Sequence, residues 1–357
     1  MKQEIFTLAI LGGLLQACGG PSGGTDAPRT STRPTGKDPS PSTGLTEQGA
    51  FSPPPPKDGY IRLVSPTIKD LPPGSDKTFC QYVMAPLDHD VDVLDVGGYQ
   101  SRFGHHAVAF ASTGTHELGS SVQCMGEGMD ALAAPTTAGQ TAPASGGLSS
   151  MGTFLGGVGG EAGGSAALPE GVAFRLTQGS GIMLNIHFLN TGEETIDGDA
   201  VLDFKFADVD PTRKIAAMFL NLNFGFTVAP ENHTDSTIEC VAKSDVKLIK
   251  MANHMHDFGV SASTEVTRAD GTVVSLHDDP QWTFDMQFNP TYSAWPVAAP
   301  FVLGAGDTIR TRCSWENTTS NTVGFPREMC IGVGFALVDG ANPTTPVCMN
   351  GMWLGPS

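Results

Sequence analysis

From Tyr60 onward the apolar positions fall in short runs, many alternating with polar ones and broken by Gly, Pro, Asn and Asp. "YIRLV", "HHAVAF", "GIMLNIHFLN", "AVLDFKFADV", "AAMFLNLNFGF", "DVKLIKMANH", "GTVVSLHDD" and "MCIGVGFALV" are strand-length and rich in Val, Ile and Phe. No stretch sustains a 3.6-residue period over three turns. The pattern predicts an all-β protein of the sandwich or jelly-roll type. The length of chain so patterned predicts two tandem jelly-roll-type sandwiches, residues 59–208 and 209–357, divided near "DVDPTR". Within the first, residues 126–168 are poor in charge and very rich in Gly and Ala, which predicts a long mobile insertion.

Before Tyr60 the pattern is different. Residues 1–17 carry Lys2 and then an apolar run too short to span a membrane, as a secretory signal does. The run ends Leu-Gln-Ala-Cys, which resembles a bacterial lipobox and implies lipidation at Cys18. Residues 18–58 are mostly Pro, Gly, Ser and Thr and predict a disordered tether. The expected location is therefore extracytoplasmic, on the periplasmic side or at the cell surface, with the lipid anchor as the sole membrane contact.

Composition narrows the function. The chain has 44 Gly and 26 Pro, and only 16% of its residues are charged, which suits many strands and turns. Its net charge of −17 repels phosphate backbones and anionic membranes, so nucleic acid is not an expected partner. Besides Cys18 there are six cysteines: Cys80, Cys124, Cys240, Cys313, Cys330 and Cys348. None forms a CxxC pair. An even number in an exported chain reads as a disulfide framework, with the pairing left open.

The histidines carry the candidate chemistry. His105 and His106 are adjacent, His187 follows an apolar run, and His254 and His256 stand two apart in "NHMHDFG". Residues i and i+2 of a strand share a face, so His254 and His256 can chelate one ion. Adjacent His105 and His106 face opposite ways unless the strand bulges, and Gly104 licenses a bulge. Imidazoles suit Zn, Cu, Fe or Ni. Met329, in "REMC", is either core filler or a soft thioether ligand that favours Cu(I). Of the others, His116 beside Glu117 reads as a surface loop residue or a partner of a ligand. His89, His233 and His277 read as solvated turn residues, and Asp257 either orients His256 or faces water.

In this order, the His-His pair, the lone His, the His-x-His before a Gly and the Glu-Met-Cys after "NTTSNTVGF" resemble the copper type II, ascorbate-dependent monooxygenases. That family includes the peptidylglycine alpha-hydroxylating and dopamine beta-hydroxylating enzymes. The resemblance runs from about Tyr60 to Cys348. It implies two jelly-roll domains, each with one copper, facing each other across a solvent-filled cleft. One copper would sit on His105, His106 and His187 and pass electrons. The other, on His254, His256 and Met329, would be catalytic. Ascorbate or another one-electron reductant, dioxygen and a small organic substrate with an aliphatic C–H are the implied reactants. The resemblance also implies the disulfides Cys80–Cys124, Cys240–Cys348 and Cys313–Cys330. Two departures bear on the substrate. Ala252 stands where peptide-amidating enzymes carry an arginine for the substrate carboxylate, and Ile331 and Val333 stand where polar residues are expected. An apolar or aromatic small molecule fits these residues better than a peptide. The competing readings are a non-enzymatic copper-binding lipoprotein and a tethered structural or adhesion sandwich.

Overall fold

A computed structural model describes residues 50–112, 116–123, 153–161, 164–165, 168–325, 327–339 and 346–355. The signal segment, Cys18 and most of the tether lie outside the described residues. The tether's last residues, from 50 onward, are mostly coil with a bridge at Phe51, and a turn in which Lys57 O accepts from Tyr60 N at 3.0 Å leads into the first strand.

The regular structure of the described residues is almost wholly β-strand, and the architecture is all-β. One long sheet runs through both halves of the chain. In order it holds the strands Ile61–Val64, Ala200–Asp208, Val91–Gln100, Val172–Leu176, Lys214–Asn223, Cys330–Val338, Val246–His254 and Ser293–Ala294. The two halves join where Lys214 and Ile215 pair in parallel with Val172 and Ala173. A five-stranded sheet packs on the first half of this long sheet, in the order Ser121–Gln123, Asp76–Met84, Gly181–Leu189, Gly104–Ser112, Phe154–Gly159. A four-stranded sheet packs on the second half, in the order Asn232–Val241, Thr308–Asn317, Gly259–Thr267, Val273–Asp279. Each half is thus a sandwich of two sheets.

The alternation seen in sequence explains the faces. On Gly181–Leu189, Ile182, Leu184, Ile186 and Phe188 are fully buried in the first core, facing Phe174, Leu202 and Phe204 of the long sheet. Met183, Asn185 and His187 take the opposite face. The second core sets Phe219, Leu248 and Met251 against Val266 and Ile309. Phe335 belongs to the second half but packs in the first core, with its ring 5.4 Å from that of Phe174.

Cys240–Cys348 and Cys313–Cys330 are bonded, as the family resemblance implied. Cys80 is also disulfide-bonded, and its expected partner Cys124 lies outside the described residues.

Two expectations change. Residues 126–168 are not all insertion: Phe154–Gly159 is a strand hydrogen-bonded to Gly104–Ser112, with Leu155 and Val158 buried in the core. Its glycines looked like linker, but they serve close approach: a Cβ at Gly159 would stand 2.8 Å from the Phe288 Cα. His277 is not solvated. It is buried, with Nδ1 3.0 Å from Ser293 Oγ and Nε2 3.0 Å from Thr291 Oγ1.

Candidate metal centre

The two sandwiches turn outward faces towards one another, and a cavity of about 370 Å³ lies between them. His105, His106, His187, His254, His256 and Met329 all line it.

His105, His106 and His187 come from two neighbouring strands. His187 pairs with His106, and the register then slips, so that Phe188 pairs with Gly104. His105 is the extra residue of this bulge, which lets two adjacent histidines reach one place. Gly104 is needed there because a Cβ would stand 2.3 Å from the Gln100 Cβ. One ring nitrogen from each of the three imidazoles lies within 4.8 Å of the others.

The partners of these rings fix which nitrogen is free. His106 Nε2 lies 3.0 Å from Asn185 Oδ1, and His105 Nε2 lies 3.2 Å from Gln287 Oε1. His187 Nε2 bonds Asp76 Oδ1. Each partner is an acceptor oxygen, so each Nε2 carries the hydrogen and each Nδ1 keeps a lone pair. His105 Nδ1 and His106 Nδ1 then face each other at 3.3 Å. Ring nitrogens at this spacing can share a metal ion or a proton.

In the second set the polarity is reversed. His256 Nδ1 lies 3.1 Å from the Arg327 carbonyl oxygen, so it is the donor and Nε2 is free. His254 pairs with Ile331 in the antiparallel ladder, and continuing that register brings Met329 opposite His256. The side chain of Met329 is half-buried at the cavity wall, beside Leu220, Leu222 and Ile331.

Glu328 holds this second set together. Its buried carboxylate accepts from His256 N at 3.0 Å, Phe258 N at 2.7 Å, Trp315 Nε1 at 3.0 Å and Met329 N at 3.3 Å. Burial, against those hydrogen bonds, pushes its pKa up to about 7. The Cys313–Cys330 disulfide adds a covalent clamp next to Met329.

Burial governs the rings as well. It takes His106 down to about 3, with the neighbouring His187 adding to the effect. Burial brings His256 to about 4, and holds His105 and His254 well below the ordinary imidazole range. At neutral pH these four imidazoles are uncharged, which is the form a metal ion takes. Asp76 feels burial pushing its pKa up, but the hydrogen bond from His187 leads the opposing effects, which together hold it down.

The two sets are contiguous. Ring centroids lie 4.5 Å apart for His105 and His187, 5.4 Å for His105 and His256, and 5.1 Å for His254 and His256. The two sets, expected to face each other across a cleft, touch through His105 and His256 beside the cavity. Asp257 orients no imidazole and instead pairs with Arg327 Nη2 at 2.5 Å. His116 stacks on Tyr82 at 3.8 Å. Asp76, Asn185, Gln287 and Glu328 escaped the sequence reading. Two had a signal in hand: Asn185 shares a strand face with His187, and Glu328 directly precedes Met329.

No family model matches the sequence, and no curated protein matches it. Solved structures with some likeness are the major capsid protein P2 of bacteriophage PM2 and PNGF-II. The first has 9% identity and a TM-score of 0.32, covering 79% of this chain and 99% of that one. The second has 10% identity and a TM-score of 0.33, covering 79% of this chain and 66% of that one. Likeness at this level says nothing about what the chain does, and the functional reading rests on the residues of the site.

Proposed function

We propose that the chain is a copper-dependent monooxygenase that hydroxylates an aliphatic C–H of a small organic substrate, using dioxygen and a reductant such as ascorbate. One observation carries this reading: uncharged imidazoles, with lone pairs left free by their partners, converge on a single cavity that a thioether also lines. Three imidazoles suit copper, and two imidazoles with a thioether favour its reduced form. His105, His106 and His187 would hold one ion through Nδ1. His254, His256 and Met329 would hold the other, with His256 presenting Nε2. Bound copper supplies one-electron chemistry and the activation of dioxygen.

The chain's own residues do the rest. Asp76, Asn185 and Gln287 set the tautomer and direction of the first three rings. Glu328 fixes the backbone on both sides of the second set. Val108, Phe110, Leu220 and Ile331 keep water away from the reacting carbon. No protein group needs to act as a general base, and none is assigned. On the same reading the enzyme works outside the cytoplasm, tethered by a lipid at Cys18.

Metal analysis of the full chain is expected to give two coppers per chain. Ascorbate-driven oxygen consumption should require an added organic substrate. Met329→Ala should abolish it and leave the first copper in place. Turnover that survives Met329→Ala overturns the assignment. Copper binding without oxygen consumption under any substrate reduces the protein to a copper-binding one.

A further inference from the structure

We infer that the cavity takes a mainly apolar molecule that bears no positive charge and offers one hydrogen-bond acceptor, and that Gln287 donates to that acceptor. The inference deepens the copper reading above and rests on it for the tautomer of His105.

The cavity floor is a stripe of the long sheet. Met218, Leu220 and Leu222 share one face of their strand, and Leu220 and Leu222 pair with Val333 and Ile331. The facing wall brings Val108, Phe110 and Phe154. Alternation accounts for the floor: Phe219 and Asn221, on the opposite face of the same strand, point into the second sandwich, where Asn221 donates to Thr311 Oγ1. With Val347 and Met349 this stripe forms a hydrophobic cluster of its own outside the two main cores, and the cavity opens onto it, as suits an apolar ligand.

Charge then limits the ligand. Among the described lining residues only Asp76 and Arg327 bear a fixed charge, and each is already paired, with His187 and Asp257 respectively. An ammonium would enter a space of uncharged imidazoles and apolar side chains, beside the copper ions of the reading above, which repel it. A volume of about 370 Å³ is roughly that of a dozen waters, so the molecule is small.

One polar group is unaccounted for. Gln287 is 6% exposed and lines the cavity. Its Oε1 serves His105 Nε2, while its Nε2 is buried with no partner. Buried amide N–H groups are nearly always satisfied, so an acceptor from outside the chain, a water or a ligand oxygen, is to match this one. A carbonyl, ether or hydroxyl oxygen on the ligand would do so, next to His105 and hence next to both sets of imidazoles. Gln287 reaches this spot on the short 3-10 turn Phe284–Gln287 of the second half.

Calorimetry on the full chain tests this, with copper content assayed in parallel. The probes are octan-2-one and octylammonium. Octan-2-one is expected to bind, and octylammonium at least tenfold more weakly. Gln287→Leu should weaken octan-2-one by roughly three- to tenfold, the worth of one hydrogen bond. Gln287→Met serves as a second, shape-matched variant should the first fold poorly. Val333→Trp, which fills the floor, should remove binding. Octylammonium binding as tightly as the ketone, no ketone binding, or folded Gln287 variants with unchanged affinity each overturn the inference. The readout is binding and not turnover. A chain that holds two coppers and ignores the ketone sinks this inference alone. A chain that binds the ketone but no copper sinks the enzyme reading and keeps the ligand class.

Discussion

The imidazoles of His105 and His256, contributed by opposite halves of the chain, meet edge to face with their centroids 5.4 Å apart and their planes at 76°. His105 therefore touches both candidate ligand sets at once. A change at one set is felt at the other through this contact, with no need of a relay.

That contact sets the first prediction. Replacing His105 or His256 by Ala should each lower copper content, and the two effects should not add. A double-mutant cycle on copper affinity is expected to show a coupling of about 0.5–3 kcal/mol, the range for residues in contact. Additive losses would mean that the rings act independently.

Acidification should destabilise the metal-free protein. His106 at about 3 and His256 at about 4 stay neutral when folded, whereas unfolded imidazoles protonate near 6.5. His105 and His254 shift in the same direction. The unfolded chain thus binds more protons below about 6.5, and stability falls as pH drops from there towards the folded values. Glu328 runs the other way: folded, it keeps its proton up to about 7, so its contribution declines as pH rises above the ordinary 4.5. Four imidazoles outweigh one carboxyl, and the melting temperature should drop between pH 7 and pH 4. A flat or rising profile contradicts the burial of these rings.

Glu328→Gln should separate the two ligand sets. The amide keeps the size but turns a donor towards backbone N–H groups that now find an acceptor. A loss of roughly 1–3 kcal/mol in stability is expected. Copper should fall from two per chain towards one, with the His105, His106 and His187 set still filled. The acid loss of stability should also steepen, because the opposing carboxyl is gone. Equal loss of both coppers would show that Glu328 supports the whole fold and not the second set.

Reduction should lower the melting temperature strongly. Cys240–Cys348 closes a separation of 108 residues and Cys313–Cys330 one of 17, loops worth roughly 3–5 kcal/mol each by chain entropy. The Cys313→Ser, Cys330→Ser pair should in addition cost the second copper, since it frees the backbone beside Met329. The Cys240→Ser, Cys348→Ser pair should lower stability with less effect on copper. An unchanged melt in reductant would argue against the bonded state.

Much of the fold was legible because strand alternation is a local signal. The His254–His256 face and the bulge at His105 were also readable, since each depends on neighbours along the chain. What escaped was long-range. Gln287 lies 182 residues from the ring it orients, and Asp76 lies 111 residues from His187. No periodicity reports such meetings. The strand Phe154–Gly159 was missed for another reason: its glycines answer to the crowding of Phe288, which is visible only once the chain is folded. The contact between the two ligand sets belongs to the same class, because it depends on how one sandwich sits upon the other.

The pairing of Lys214 and Ile215 with Val172 and Ala173, with Phe335 seated in the first core, has a mechanical result. Halves stitched by shared ladder bonds and a common aromatic packing cannot swing apart as two jaws without tearing the sheet. Admission of a guest, and any change in spacing between the imidazoles, falls to rotation of the side chains that line the cavity, with the body's radius of gyration left unaltered.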